Sequence, residues 1–117
     1  TQRDASLAVS HVAVFGLKTI SHAIVATMTL TIRVLYFASA HDAVGGLKEE
    51  QVKFDVDEGQ QLDLWKLVAE LETRHPKLKM VLGYSAISIN SEIVEDAKLA
   101  TVKDKDEVAI IPPVSGG

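Results

Sequence analysis

The C-terminal stretch, residues 108–117, constrains the fold of this chain more than any other part of the sequence. It starts with the apolar run 108–111, which is typical of a strand buried on both faces. Pro112 and Pro113 end that strand because they lack backbone N–H donors, and they favour an extended path. Gly116 and Gly117 have no Cβ, so they can pass through a narrow channel. We therefore predict a central strand that carries a functional tail, the alternative being a frayed terminus of small residues.

Length and charge narrow the possibilities further. The chain has 117 residues, enough for one domain with one core, and its 47% hydrophobic content is that of a globular protein. Its net charge is −4, and residues 28–117 carry 10 Lys and Arg against 15 Asp and Glu. This balance does not suggest nucleic-acid binding, and it fits a partner with a basic docking face. The absence of cysteine excludes disulfides, thiolate metal sites and a cysteine nucleophile on this chain.

Residues 1–27 differ from the rest and are interpreted as an extension outside the functional domain, which comprises residues 28–117. Two alternatives stay open, a targeting segment and an added helix. The apolar runs here are interrupted by His11, Lys18 and His22, so they are too short for a membrane span. A secretory signal would need a basic start and a continuous apolar centre, and neither is present.

The pattern from residue 28 onward predicts the order β-β-α-β-β-β. Residues 29–37 and 49–56 alternate as strands and should form a hairpin. Both faces of the first strand become apolar towards Phe37, so we expect that end to be covered on both sides. Residues 38–48 and 77–84 are expected to be links with some helical character. Short strands are expected at 86–90 and 92–94, and the last at 107–111.

The one main helix is predicted over residues 63–74. Leu64, Val68 and Leu71 form its apolar stripe, which Trp65 and Leu67 flank. Pro76 ends the helix near His75. A right-handed crossover places it on one face of a mixed sheet of four to five strands, with the last strand parallel to the first. This α+β arrangement is the ubiquitin-like β-grasp.

No catalytic or metal-binding pattern accompanies this fold in the sequence. The four histidines show no metal-ligand spacing, and the acidic clusters lack the pattern of a calcium loop. No phosphate loop, dinucleotide fingerprint or nucleophile elbow occurs. The chain is therefore not expected to be a self-sufficient enzyme, and the terminal carboxylate is the remaining reactive group.

The residues 106–117 resemble the C-terminus of the small, sulfur-carrier subunit of molybdopterin synthase. The ending Pro-Pro-Val-Ser-Gly-Gly is the specific part, because Gly-Gly alone is shared with ubiquitin and other relatives. Residues 34–38 and the hairpin 90–94 are similar to the same family, and residues 64–65 together with 72–76 resemble the helix of its eukaryotic members. The resemblance covers residues 30–117 and does not include the extension.

The resemblance implies a cytoplasmic, non-catalytic subunit without a permanently bound cofactor. A ubiquitin-activating-type enzyme would use ATP to adenylate the terminal carboxylate, and sulfur delivery would then give a thiocarboxylate. The tail would enter the large synthase subunit and pass its sulfur to cyclic pyranopterin monophosphate, in molybdenum cofactor biosynthesis. Family synthases are heterotetramers, with a small subunit at each end of a dimer of large subunits.

The resemblance also implies roles for single residues. Gly117 would carry the thiocarboxylate, Gly116 would give clearance inside the partners, and the tail path would be set by Pro112, Pro113, Val114 and Ser115. Three apolar residues would contact the large subunit, namely Phe37, Ile93 and Ile111; ordinary core packing is their alternative. Other functions remain open: a ubiquitin-like protein modifier, a carrier for thiamine or tRNA sulfur chemistry, or a plain interaction module.

Overall fold

The computed structural model describes residues 26–114. Their elements are, in chain order, β1 (Thr27–Tyr36), α1 (Ala38–Ala43), β2 (Glu49–Asp57), β3 (Leu62–Asp63), α2 (Leu64–Arg74), α3 (Leu78–Leu82), β4 (Ala86–Ile89), β5 (Glu92–Ile93), β6 (Thr101–Val102) and β7 (Glu107–Ile111). The predicted order of strands and main helix is confirmed. The two links contain short helices, α1 and α3.

Five strands form one mixed sheet in the order β2-β1-β7-β4-β5. β1 pairs antiparallel with β2 and parallel with β7, so both the predicted hairpin and the predicted parallel return are confirmed. β7 lies in the middle, between β1 and β4, and Val108 and Ile110 are fully buried. The central strand therefore fixes the base of the C-terminal tail.

A second, two-stranded sheet joins β3 to β6 and was not predicted. Each of these strands has only two residues, which is too short for an alternating pattern to be recognised. Val102 and Leu62 are nonetheless buried, so this pair extends the core beside the start of α2.

The core lies between the sheet and the helices. From β1 it receives Leu30, Ile32, Val34 and Tyr36, which share one face. From α2 it receives Leu64, Leu67 and Leu71, all fully buried. The predicted helix stripe was therefore wrong in detail, because Leu67 and not Val68 is its third fully buried residue, and Trp65 is about half exposed. On the surface of α2, Glu70 and Arg74 form an ion pair at 2.8 Å.

The opposite face of the sheet, which we call the open face, is not packed against any element in residues 26–114. Phe37 keeps 48% of its surface exposed, and Leu35 is half-buried. The prediction that both sides of this end of β1 are covered was thus wrong for the described part of the chain. The apolar residues are present, but the three helices of residues 26–114 lie on the other side of the sheet.

Candidate docking face and tail

The tail leaves the sheet at Pro113. Along β7 and beyond it, the buried residues on the helix side are Val108, Ile110 and Pro112, so the alternation continues one step past the last paired residue. Pro113 and Val114 are exposed, Val114 with 73% of its surface. Because neither proline can donate a backbone hydrogen bond, the chain cannot continue pairing with β1 or β4 here. Pro112 is therefore the last anchored residue of the described tail.

The remaining predicted tail residues, Ser115, Gly116 and Gly117, lie outside the described residues. Their assignment continues to rest on the sequence motif. What the structure supplies is the anchor five residues before Gly117 and the surface that surrounds it.

That surface is the open face, where the strand registers bring apolar residues from four strands together. One row across the sheet runs Leu35, Ala109, Ser88 and Ile93, each paired with the next. One step nearer the tail, Ile111 pairs with Ala86. The row therefore runs from Leu35 on β1 to the exposed Ile93 on β5.

The three residues predicted to contact a partner, Phe37, Ile93 and Ile111, belong to this face. Phe37 and Ile93 expose 48% and 59% of their surface, and Ile111 is half-buried. An exposed phenylalanine and isoleucine at opposite ends of one apolar face speak against the core-packing alternative for these two. The sequence analysis did not assign Leu35, Ala86 or Ala109 to this face. The alternation in β1 was a signal that would have identified Leu35, whereas Ala86 and Ala109 can be assigned only once the strand register is known.

Charged residues border the apolar part of the open face on the side away from the tail. Arg33 donates two hydrogen bonds to Glu49, at 2.8 and 3.1 Å, and one to Glu107 at 2.9 Å. Hydrogen bonding between Arg33 and Glu49 raises the pKa of the Arg33 guanidinium and lowers the pKa of the Glu49 carboxyl. Two carboxylates share one guanidinium, so the border keeps a net negative charge.

A groove of about 640 Å³ opens beside Phe37, where the open face meets the turn into α1. Leu35 and Phe37 form its apolar part, and His41, Asp42, Lys48 and Glu49 line its polar part. The groove is continuous with the apolar rows and could receive a side chain from a docked protein.

A hydrogen-bond network lies on the helix side of the same end of β1. The Tyr36 hydroxyl donates to Glu50 at 2.5 Å, and His75 Nε2 lies 2.6 Å from the same oxygen. Arg74 reaches the other Glu50 oxygen at 3.4 Å, and the rings of Tyr36 and His75 meet edge to face with centroids 5.9 Å apart. The network ties β1, β2 and the end of α2 together.

The network shifts the pKa values of Tyr36 and Glu50. Burial, together with the hydrogen bond to Glu50, raises the pKa of the Tyr36 phenol. Burial alone would raise the pKa of the Glu50 carboxyl, but the hydrogen bonds from Tyr36 and His75 outweigh it and hold that pKa below its ordinary value. Glu50 is therefore ionised at neutral pH, and since a carboxylate only accepts, His75 Nε2 carries a proton and donates.

Within residues 26–114 no group of three or more histidine and acidic side chains is arranged to hold a metal ion. His41 and His75 lie in this range, and His11 and His22 lie outside it. No helix of the described part is long and apolar enough to span a membrane.

Comparison with known proteins gives consistent matches over the same region. The model of the ThiS family matches residues 34–117. The molybdopterin synthase sulfur carrier subunit of Chlamydomonas reinhardtii is 38% identical over 88 residues, which are 75% of this chain and 100% of the relative.

Two solved structures show the same fold. The small archaeal modifier protein 1 of Methanosarcina acetivorans aligns with a TM-score of 0.60 at 25% identity, over 77% of this chain and 99% of its own. A chain in the complex of subunits 1 and 2 of the molybdopterin-converting factor from Helicobacter pylori aligns with a TM-score of 0.50 at 30% identity, over 75% and 100%.

Proposed function

The chain belongs to the ThiS family, and on that premise we propose that it is the sulfur carrier subunit of a molybdopterin synthase. The resemblance drawn from the C-terminal motif is confirmed by the family match, which includes that motif, and by the 38% identical relative. The observation that carries the proposal is geometric: an uncovered apolar face lies beside a tail that is anchored at Pro112 and released at Pro113.

In this proposal Gly117 is the reacting residue. A carboxylate oxygen of Gly117 attacks the α-phosphorus of ATP on an adenylating enzyme, and pyrophosphate leaves. A persulfide sulfur of the donor then attacks the acyl carbon and displaces AMP, and a thiol cleaves the resulting acyl disulfide, which releases the thiocarboxylate and leaves the thiol in a disulfide with the donor. Gly116 leaves room for this chemistry because it has no side chain.

The synthase step then uses the thiocarboxylate as the sulfur donor. The sulfur attacks a carbon of cyclic pyranopterin monophosphate and displaces an oxygen substituent from it. Water then hydrolyses the acyl–sulfur bond, so that Gly117 leaves as a carboxylate and the sulfur stays on the pterin as a thiolate; two such transfers supply the two sulfurs of the dithiolene. We assign the catalytic groups to the large subunit, which makes this chain a sulfur donor rather than a catalyst. No cofactor is then bound permanently, since the acyl-adenylate and the thiocarboxylate are both transient.

We place the large subunit on the open face. Phe37 and Ile93 would bury their exposed surface against it, and an acidic border at Arg33, Glu49 and Glu107 would meet basic groups. The Helicobacter pylori structure, a complex of both subunits of a molybdopterin-converting factor, supports a partner of this kind. The proposal also places the protein in the cytoplasm, which fractionation of the native host would test.

Intact mass spectrometry of the protein from its native host tests the carrier chemistry. We expect a fraction that is heavier by the exchange of one oxygen for sulfur, with the change located at Gly117 by fragmentation. Deleting Gly117 should abolish molybdopterin formation in a reconstituted assay and leave thermal unfolding unchanged. An active deletion variant would show that the thiocarboxylate mechanism is wrong for this chain.

The docking face is tested by placing a charge on it. Phe37→Glu should weaken binding to the purified large subunit by roughly 10-fold or more, because a carboxylate would be desolvated at the interface. Met80→Glu is the matched control, since Met80 is 79% exposed but lies on α3, on the helix side. Equal affinities for the two variants would place the large subunit elsewhere.

A second function has a specific observation in its favour. The fold matches the small archaeal modifier protein 1 at 25% identity, so attachment of Gly117 to lysines of other proteins is the competing proposal. The same mass spectrometry separates the two. Branched lysine conjugates without any thiocarboxylate would support the modifier and contradict the carrier.

A further inference from the structure

Two turns lie on either side of the point where the tail leaves the sheet. β1 runs parallel to β7, and its last paired residue, Tyr36, lies opposite Ile110, so the turn from β1 into α1 begins at the level where β7 ends. β4 runs antiparallel, and Ala86 pairs with Ile111, so Tyr84 and Ser85 lie at the same level on the other side. The prolines therefore emerge between the start of α1 and the turn that follows α3.

These two turns contact each other. The Ser39 hydroxyl oxygen lies 3.5 Å from the Tyr84 hydroxyl oxygen, although β7 separates the strands to which the two residues are attached. α1 and α3 both pack on the helix side of the sheet, where Ala40 and Val81 are buried. A link between Ser39 and Tyr84, which we call the 39–84 bridge, thus spans the line of β7 on the helix side.

Both ends of the bridge have a defined local conformation. Ala38 has φ +49°, a left-handed conformation that is unfavourable for a residue with a Cβ, and it turns the chain sharply from β1 into α1. On the other side, the backbone N–H of Tyr84 donates to Val81 at 3.2 Å, and the Ser85 hydroxyl donates to the same carbonyl at 2.6 Å. One turn is thus defined by the backbone conformation of Ala38 and the other by hydrogen bonds to Val81.

Burial along the tail matches this arrangement. Pro112 lies on the helix side and is buried, whereas Pro113 lies on the side of the open face and is exposed. Tyr84 itself keeps 53% of its surface exposed, so its ring contributes little to the core.

We infer that Tyr84 is a positioning residue for sulfur transfer. Through the 39–84 bridge, Tyr84 blocks the helix side of Pro112, so that the tail leaves towards the open face. The tail and the open face then meet the same partner. This inference rests on the proposed function for its consequence in transfer, but the direction and order of the tail can be measured without any partner. Tyr84 touches no reacting atom in this scheme and acts through the position of Pro112.

The first experiment measures the tail in the isolated full chain. ¹⁵N relaxation should give a lower order parameter at the Val114 amide in Tyr84→Ala than in the unaltered protein, while Met80→Ala, an exposed apolar residue of α3 outside the bridge, changes nothing. Tyr84→Phe and Ser39→Ala remove only the hydroxyl contact and should produce a smaller change in the same direction. An unchanged Val114 order parameter in Tyr84→Ala would overturn the inference.

The second experiment measures transfer with thiocarboxylated variants and the purified large subunit. Tyr84→Ala should lower the single-turnover rate of sulfur transfer by roughly 3- to 10-fold, since misplacement of a reacting group slows chemistry without a loss of contacts. Its affinity for the large subunit should stay within about 2-fold, because the open face is unaltered. A variant that loses affinity in proportion to its rate would make Tyr84 a docking residue and refute the positioning role.

The two experiments separate the possible failures. If Tyr84→Ala unfolds, the Val114 order parameters of Tyr84→Phe and Ser39→Ala decide, and no change in either refutes the bridge. If the unaltered protein transfers no sulfur, the proposed function fails, and the relaxation data still decide whether the bridge orders the tail.

Discussion

Replacing Glu50 by alanine should destabilise the fold strongly, because three side chains of the network end on this one carboxylate. Glu50 accepts from Tyr36 at 2.5 Å and from His75 at 2.6 Å, and its side chain is only 18% exposed. Tyr36 is 3% exposed, so its hydroxyl has no ready access to water when the acceptor is removed. The contact with Arg74 is longer, at 3.4 Å, and contributes little.

The magnitude follows from the groups left without partners. A buried donor without an acceptor costs about 1–3 kcal/mol, and Glu50→Ala creates this situation for Tyr36 fully and for His75 in part. We therefore expect a loss of about 2–4 kcal/mol in the free energy of unfolding. Each kcal/mol lost should lower the melting temperature by about 4–8 °C. Glu58→Ala, an exposed acidic residue in the turn after β2, is the control and should stay within about 0.5 kcal/mol.

Urea unfolding of a double-mutant cycle measures the interaction directly. Tyr36→Phe removes the donor, so adding Glu50→Ala to it should cost less than Glu50→Ala alone, with a coupling of about 1–2 kcal/mol. The reasoning would be refuted if the coupling were zero, or if Glu50→Ala lost no more stability than Glu58→Ala.

The pH dependence has a definite sign. The pKa of Glu50 is lower in the folded state than in the unfolded chain, so its stabilisation is complete above the unfolded value of about 4.3 and is lost as the pH falls through the folded value. Glu50→Gln removes the ionisable carboxyl and with it this pH-dependent stabilisation. The stability difference between the unaltered protein and Glu50→Gln should therefore be largest near neutral pH and shrink below about pH 4.

Two further predictions concern single residues. Ala38→Gly relieves the strain of a left-handed backbone conformation but increases the conformational freedom of the unfolded chain. Urea unfolding should show a gain of up to about 1 kcal/mol in the free energy of unfolding. A loss would show that φ +49° is not strained here. Asp106 is 8% exposed and accepts hydrogen bonds from the Asn90 side chain at 2.9 Å and from the Lys103 N–H at 2.8 Å. Asp106→Ala should therefore lower the free energy of unfolding by about 2–3 kcal/mol, and Asn90→Ala should lower it by less. Equal losses would contradict this ranking.

Much of the fold could be predicted because its strands carry strong local patterns. The alternation in β1 and the apolar run of β7 follow from residues that are neighbours in sequence, and the two prolines mark where pairing must stop. The β3–β6 pair could not be found, since two residues have no period. In α2 the choice between Leu67 and Val68 depends on how the helix is rotated on the sheet, which its own sequence does not determine.

The candidate site divides in the same way. The tail is a contiguous motif and was visible at once, and the same motif supplied Phe37, Ile93 and Ile111 through a family resemblance. That Phe37 remains uncovered could not be deduced, because an apolar residue at a strand end is equally compatible with burial. The 39–84 bridge and the network around Glu50 join residues that are 45 and 14 or more positions apart, and only the packing of the helices on the sheet brings them together.

In the proposed carrier function, the anchor at Pro112 limits where the reacting end of the tail can reach. Gly117 is five residues further along the chain, so its carboxyl carbon cannot lie more than about 18 Å from the anchor. A group held on so short a tether has an effective concentration in the millimolar range or above once the open face is docked, without any contact of its own. If the proposed carrier function holds, affinity can reside in the docking face, while the glycine end binds weakly and leaves the partner once the sulfur has been transferred.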